Sequence, residues 1–274
     1  MVKKIICCSD IHIRNYKRLD EYKVQLKKFI DECTDIVNEY GADSVRIVIA
    51  GDLLHNKLDI SGEGYVMASQ FLSKLDELCK TIIISGNHDM NMANLSRLDP
   101  ISTIFNMCNF EQTYFLDKEL DYESGCLIDD NIVWTLYSSF DNFARPNIEE
   151  VKIGNVDKIF VGLFHGDIKN TKTDVGYTLE NGFETSYFEG NDICICGHIH
   201  KRQKITYNGT DIIYVGSLIQ QDHGENINGH GFIVVDTETL TFTEHNIKND
   251  YGFYTFTINN IDDIDNNIEE LINF

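Results

Sequence analysis

At 274 residues and 42% apolar content the chain has material for one large core or two small ones, while 44 acidic against 23 basic residues, a net charge of −21, argue against wrapping nucleic acid by bulk electrostatics. No stretch approaches about 20 uninterrupted apolar residues, and the N-terminus MVKKIICCSD lacks a long apolar core and a small-residue cleavage site, so the chain reads as soluble and cytoplasmic with no membrane span. None of its eight cysteines forms a C-x-x-C pair, and Cys7, Cys8, Cys194 and Cys196 lie inside apolar runs, which predicts reduced thiols packed as small hydrophobes.

The first run, KKIICCSD, stops at Asp10. A helix is expected over 19–40, where Tyr22, Leu26, Phe29, Ile30, Cys33, Ile36, Val37 and Tyr40 share one face and Gly41 is the stop. SVRIVIAGD follows as a second run, a second helical stripe covers 66–79 with Phe71, Leu72, Leu75 and Leu78, and KTIIISGNHD is the third run. Apolar runs this continuous suit strands buried on both faces, and their alternation with helices predicts an α/β protein. From about residue 112 the texture changes to strands with few helices: TYFLD, GCLID, NIVWTLYSSF, KIFVGLFHGD, NDICICGHIH, DIIYVGSL, then a hairpin in HGFIVVDTETLTFTEHNI. Two sheets packed together with helices outside accommodate both halves. One domain is expected over 1–248, followed by an acidic tail over 249–274, with six carboxylates and no Lys or Arg, that is helical near its end.

Five of the six long runs end in side chains that bind metals: Asp10 with His12, Asp52, Asn87 with His88, His165, and His198 with His200. The carboxyl ends of buried strands form the binding crevice of α/β folds, so these side chains should converge. Singly each is more often a structural histidine, a helix cap or an Asx turn. As a set, with six of the nine histidines at or beside strand ends, they point to a metal site. Asp10, His12, Asp52, Asn87, His165, His198 and His200 are too many for one tetrahedral ion and suit two ions about 3.5–4 Å apart that share a bridging carboxylate and clamp a phosphate. Imidazole, carboxylate and amide ligands without sulfur favour manganese, iron or zinc over magnesium or calcium, and Mn2+ is the first expectation among them. Such ions also supply positive charge that the chain lacks.

In this order DIH, GD, GNHD, a strand-end His and GHIH resemble the calcineurin-like metallophosphoesterase superfamily over about residues 1–220. The resemblance implies a four-layer sandwich of two mixed β-sheets flanked by α-helices. It implies that Asp10, His12, Asp52 and His200 hold one ion and Asp52, Asn87, His165 and His198 the other. It also implies that His88 faces the scissile phosphate and that Asp89 orients the His88 ring. His55 after Gly-Asp-Leu-Leu, and YVGSLIQQDHGENINGHGFIVVD, are similar to SbcD-type DNA repair nucleases, including phage recombination subunits. That narrower resemblance implies a metal-dependent exo- or endonuclease, His55 near the same phosphate, DNA as substrate, a homodimer through helices near the early motifs (segments 65–79 and 92–107), and an SbcC-type ATPase partner. The family continues into a DNA-capping region near where the tail begins. Lys201, Arg202 and Lys204 after His200, and Lys169 and Lys172 after His165, are expected to flank the metals as positive patches, with Lys201 and Arg202 meeting DNA. A phosphomonoesterase or nucleotide phosphodiesterase is the second reading; a non-catalytic scaffold is the third, and the complete ligand set counts against it.

Overall fold

The computed structural model describes residues 1–57, 59–255, 260, 263 and 268. The helix expected near the chain end, 261–274, lies outside the described residues apart from Asp263 and Ile268. Strand and helix alternate at first: β1 (Lys4–Cys8), α1 (Leu19–Tyr40), β2 (Val45–Ala50), α2 (Gly62–Asp76), β3 (Thr81–Ile84), α3 (Pro100–Met107), β4 (Thr113–Phe115) and a single turn, α4 (Leu116–Glu119). Strands then dominate: β5 (Gly125–Asp129), β6 (Ile132–Tyr137), a short α5 (Ile148–Ile153), β7 (Ile159–His165), β8 (Ile193–Gly197), β9 (Gln203–Tyr207), β10 (Thr210–Tyr214), β11 (Gly231–Asp236) and β12 (Phe242–Asn246).

Among the described residues the strands form two six-stranded sheets, ordered β12-β11-β1-β2-β3-β4 and β5-β6-β7-β8-β10-β9. Each has a parallel centre, β1 to β4 in one and β6-β7-β8-β10 in the other. Each is mixed because its edges run antiparallel: the β11–β12 hairpin returns beside β1, and β5 and β9 flank the second sheet. Among the described residues the last hairpin thus lies beside the first strand, with Ile5 opposite Val235.

The continuous apolar runs are explained by three layers of core. Strand side chains alternate between faces. Ile6, Cys8, Ile47 and Ile49 face outward onto Phe29, Cys33, Phe71 and Leu72 of α1 and α2. Ile5, Cys7, Val48 and Ala50 face inward onto Trp134, Val161, Leu163 and Ile195 of the opposite sheet. Phe160, Phe164, Cys194 and Cys196 face outward on the second sheet, and there the cover is Ile148 of α5 with Ile168 and Phe188 from a long loop instead of long helices. All eight cysteines are free and six are buried, in agreement with their role as packing residues.

Local chemistry fixes the helix ends. α1 spans the expected residues, and Gly41 follows at φ 85°, where its N–H reaches the Val37 carbonyl at 2.8 Å. α2 starts four residues before the expected stripe because Ser61 caps it, its hydroxyl accepting from the Gly64 N–H at 3.2 Å. It stops at Asp76, although Cys79 remains buried. Most of its apolar stripe, Phe71, Leu72 and Leu75, covers the sheet.

Candidate metal centre

β1, β2 and β3 of one sheet and β7 and β8 of the other all direct their carboxyl ends to one place. Beyond those ends the backbone takes left-handed values at side-chain-bearing residues: φ is 51° at Asp10, 53° at His12, 53° at Asp52 and 94° at His198. Only a few per cent of non-glycine residues adopt such values, although Asp and His do so several-fold more readily than most.

The side chains converge in two groups, Asp10–His12–His200 and Asp52–His165–His198. Asp52 joins them: its Oδ2 lies 3.5 Å from His12 Nε2 and 3.3 Å from His165 Nε2. Asp10 Oδ1 is 3.9 Å from His12 Nε2 and 3.7 Å from His200 Nε2. The Asn87 Oδ1 atom is 2.8 Å from His198 Nδ1. Thus all seven residues expected as ligands come together, with Asp52 in the middle.

Three observations fit this set to divalent cations. First, His165 Nε2 is buried and has no hydrogen-bond partner, although Asp52 is 3.3 Å away. Its Nδ1–H donates to the Ala50 carbonyl at 2.8 Å, which fixes the tautomer that leaves a lone pair on Nε2, as a metal-binding histidine requires. Second, the carboxylates outweigh the positive charge nearby. Burial works against charge on His165, yet Asp52 and then Asp10 hold its imidazolium up to about 10. Burial also opposes His200, yet its hydrogen bond to Glu225 and the Asp10 charge raise it to about 9. Burial favours protonation of Asp52, yet His165, His12 and His88 hold its carboxyl well below the usual range. Protons drawn onto imidazoles at such pH mark a site short of cationic charge, which a divalent ion supplies. Third, the backbone is pared back around the ligands: a Cβ on Gly51 would strike His165, one on Gly86 would strike Asp52, and one on Gly197 would strike Ser9 and Ala50.

Ligand orientation comes from residues the sequence did not flag. Glu225 Oε1 accepts from His200 Nδ1 at 2.5 Å, while Asp167 Oδ1 lies 3.2 Å from His198 Nε2. Neither shows a spacing signal; Asp167 closes the quoted HGD and Glu225 belongs to the GENINGHGF stretch.

His88 lies beside this centre, its ring 4.8 Å from that of His12 and stacked on His55 at 5.1 Å. Asp89 does not orient it, contrary to expectation. The His88 Nδ1–H donates to the His55 carbonyl at 2.7 Å, whereas the Asp89 carboxylate accepts from the N–H groups of Leu53, Leu54 and Gly86 at 3.2, 2.9 and 3.0 Å. Asp89 is fully buried, and desolvation with Asp52 nearby pushes it up to about 8. Its geometry locks the turns that carry Asp52 and Asn87.

The basic flank is also thinner than expected. Lys201 lines a cavity beside His198 and His200, together with Thr173, Asp174, Asp222 and Glu225. Arg202 is turned into the fold: Nε donates to the Val215 carbonyl at 3.0 Å, and Nη1 bonds Glu244 at 3.1 Å and Asn246 at 2.8 Å. The residue after Lys201 alternates to the other side as β9 begins at Gln203, which is why adjacency to Lys201 misled. Lys169 pairs with Glu184.

Two mixed sheets whose strand ends gather aspartate, asparagine and histidine define the α/β fold of the metallophosphoesterases. The chain belongs to the calcineurin-like phosphoesterase superfamily, whose domain profile matches residues 3–240, and members of that superfamily typically bind divalent metals. It is 35% identical over 267 residues to an uncharacterized protein of Acanthamoeba polyphaga mimivirus, which covers 94% of this chain but only 19% of that protein's length. It is 24% identical over 233 residues to a putative phosphoesterase of Invertebrate iridescent virus 6, covering 81% of this chain and 72% of that one. The solved structure of TT1561 from Thermus thermophilus shares the fold at a TM-score of 0.50 and 10% identity, covering 90% of this chain and 100% of that one. Among the described residues no helix is long and apolar enough to cross a membrane.

Proposed function

We propose that this domain is a metal-dependent phosphodiesterase that cuts DNA, the nuclease subunit of an SbcC–SbcD-type complex working in cytoplasmic repair or recombination. The observation that carries the hydrolytic part is Asp52 Oδ2 standing between His12 Nε2 at 3.5 Å and His165 Nε2 at 3.3 Å. In this reading Asp10, His12, Asp52 and His200 hold one ion and Asp52, Asn87, His165 and His198 the other, with Mn2+ as the first choice and Fe or Zn served by the same oxygen and nitrogen donors. When bound, the ions would polarise the phosphoryl oxygens and acidify water. His88, tied through Nδ1 to the His55 carbonyl, presents Nε2 to the scissile phosphate, where, with both ring nitrogens protonated, it stabilises charge or gives its Nε2 proton to the leaving 3′ oxygen. His55 stacks against it and fixes its plane. Asp89 acts from behind by holding the Asp52 turn, and Lys201 meets the substrate backbone.

DNA is favoured by the 216–236 segment, similar to that of SbcD-type nucleases. Its Glu225 holds His200, and its strand β11 closes the first sheet. A second copy and an SbcC-type ATPase belong to the same proposal. Val66, Met92, Leu95 and Leu98, exposed on the segments expected at a dimer contact, are candidates for it. A small phosphomonoester or nucleotide diester is the second reading, since the acidic side chains of Asp174, Asp222 and Glu225 beside Lys201 count against a long polyanion along this cavity.

The test incubates the protein with Mn2+ and, in parallel, end-labelled duplex DNA, single-stranded DNA and a small phosphomonoester. Shortened DNA that requires Mn2+ and is lost in His88→Ala supports the first reading. Turnover of only the small ester replaces it with the second.

A further inference from the structure

Arg14, two residues beyond His12, has no role in that account. Of the six arginines, Arg18, Arg46, Arg145 and Arg202 each bond a carboxylate and Arg97 is exposed at the surface. Arg14 makes no ion pair among the described residues. Its Nη1 lies 3.0 Å from His55 Nε2, its Nη2 makes long contacts to the Gln221 carbonyl at 3.4 Å and Oε1 at 3.3 Å, and its Nε is buried without a partner. A guanidinium with no counter-ion, in a chain of net charge −21, is set here against the histidines of the centre.

Counting protons shows what it lacks. Resting on the metal reading above, His12 ligates through Nε2, which is 3.1 Å from His200 Nε2 and 3.5 Å from Asp52 Oδ2. Its ring proton is then on Nδ1, and that atom faces His55 Nδ1 at 3.4 Å. His55 accepts on that side, so a neutral His55 carries its own proton on Nε2. That N–H meets the Arg14 N–H groups at 3.0 Å, two donors with no acceptor between them. One anionic oxygen touching both resolves the conflict and gives each donor a charge-assisted bond.

We propose that Arg14 and His55 together form a two-donor seat for an anionic phosphate oxygen of the substrate, in addition to the oxygens taken by the metals. The stacked His55 and His88 rings, 5.1 Å apart, put this seat next to the proposed scissile phosphate. The oxygen belongs either to that phosphate or to its neighbour along a polynucleotide. The planar fork of arginine suits such a contact better than a lysine ammonium would.

The test is calorimetric binding of two probes, inorganic phosphate and thymidine 3′,5′-bisphosphate, to the full chain loaded with Mn2+. Arg14→Gln is expected to weaken binding about ten- to hundredfold while the Mn2+ stoichiometry and Tm stay as in the parent. Weakening of both probes assigns the oxygen to the phosphate at the metals; weakening of the bisphosphate alone assigns it to the neighbour. Arg14→Lys, which keeps the charge and loses the fork, should fall between, and it serves as the folded variant if Arg14→Gln fails to fold. Parent-like affinity for both probes overturns the proposal, and so does loss of bound Mn2+ in the variants, which would make Arg14 a prop for the ligands. Because binding of inorganic phosphate involves no ester to cut, failure of the protein to degrade DNA would remove the nuclease reading and leave the phosphate arm of this result standing.

Discussion

Replacing Glu225 by Gln tests the proposed centre without touching a ligand. The side chain is almost fully enclosed, at 7% exposure: Oε1 receives His200 Nδ1–H at 2.5 Å, and Oε2 receives the Gln221 N–H at 2.8 Å and the Ser217 hydroxyl at 3.3 Å. Glutamine has the same shape but one acceptor atom. If its oxygen faces His200, its NH2 confronts the Gln221 N–H. If its NH2 faces His200, the imidazole must move its proton to Nε2 and lose the lone pair that a metal needs. The first arrangement leaves a buried donor unpaired, at about 1–3 kcal/mol, and the second gives up the Nε2 lone pair. It also removes a negative charge next to the ligands, and such partners are worth about 10–100-fold in metal affinity. The expectation is that Glu225→Gln weakens one of two Mn2+ sites by about 10–100-fold, read by calorimetric titration, and leaves the other near the parent value. Two sites of unchanged affinity in a folded Glu225→Gln protein would refute this reasoning.

Chelated protein should become less stable as pH rises. His165 is held up to about 10 and His200 to about 9 against about 6.5 when unfolded, so the stability from their protonation is complete below about pH 6.5 and is lost as pH climbs through 9 to 10. Tm of EDTA-treated protein should fall across that window and recover on adding Mn2+; a flat profile would contradict it. At the far edge of the sheets, burial favours protonation of Asp129, but hydrogen bonds from Arg46, Lys80 and Trp134 hold it down to about 2, so its contribution is present above about pH 4 and lost toward pH 2. Asp129→Asn leaves Arg46 without its counter-ion and should cost about 3–5 kcal/mol in urea unfolding at pH 7. Lys201→Gln should reduce the salt slope of DNA binding by about 1, whereas Arg202→Gln should leave that slope unchanged and lower Tm. Equal slopes for the two variants would reinstate Arg202 as a DNA contact. Gly86→Ala drives a Cβ into the Asp52 carboxylate and should abolish two-site Mn2+ binding.

What could be read from the sequence was whatever a continuous apolar run and its polar stop encode. β1, β2, β3, β7 and β8 are buried on both faces, so their composition reveals them, and the residues after each stop have one crevice to enter. The site was legible for the same reason, since its seven expected ligands sit within a few residues of a strand end. Contacts between distant segments carry no local pattern. Glu225 reaches His200 across 25 positions, and Asp89 bonds Leu53 and Leu54 across about 35, so neither could be placed by spacing. Asp89 shows the hazard of adjacency: it follows His88 in sequence but points behind the turn. The early start of α2 has a similar cause, because Ser61 supplies a cap that the apolar stripe does not display.

Asp10, His12, Asp52 and Asn87 rise from one sheet, while His165, His198 and His200 rise from the other. Neither sheet alone carries all seven proposed ligands, so a metal centre of the proposed kind would act as a rivet through the sandwich. A slip of about 1 Å between the sheets would spread both ligand groups at once, and misplacement on that scale can cost about a hundredfold in rate. Catalytic rate in this architecture is therefore a gauge of inter-sheet seating, and loss of activity on heating should run ahead of loss of secondary structure.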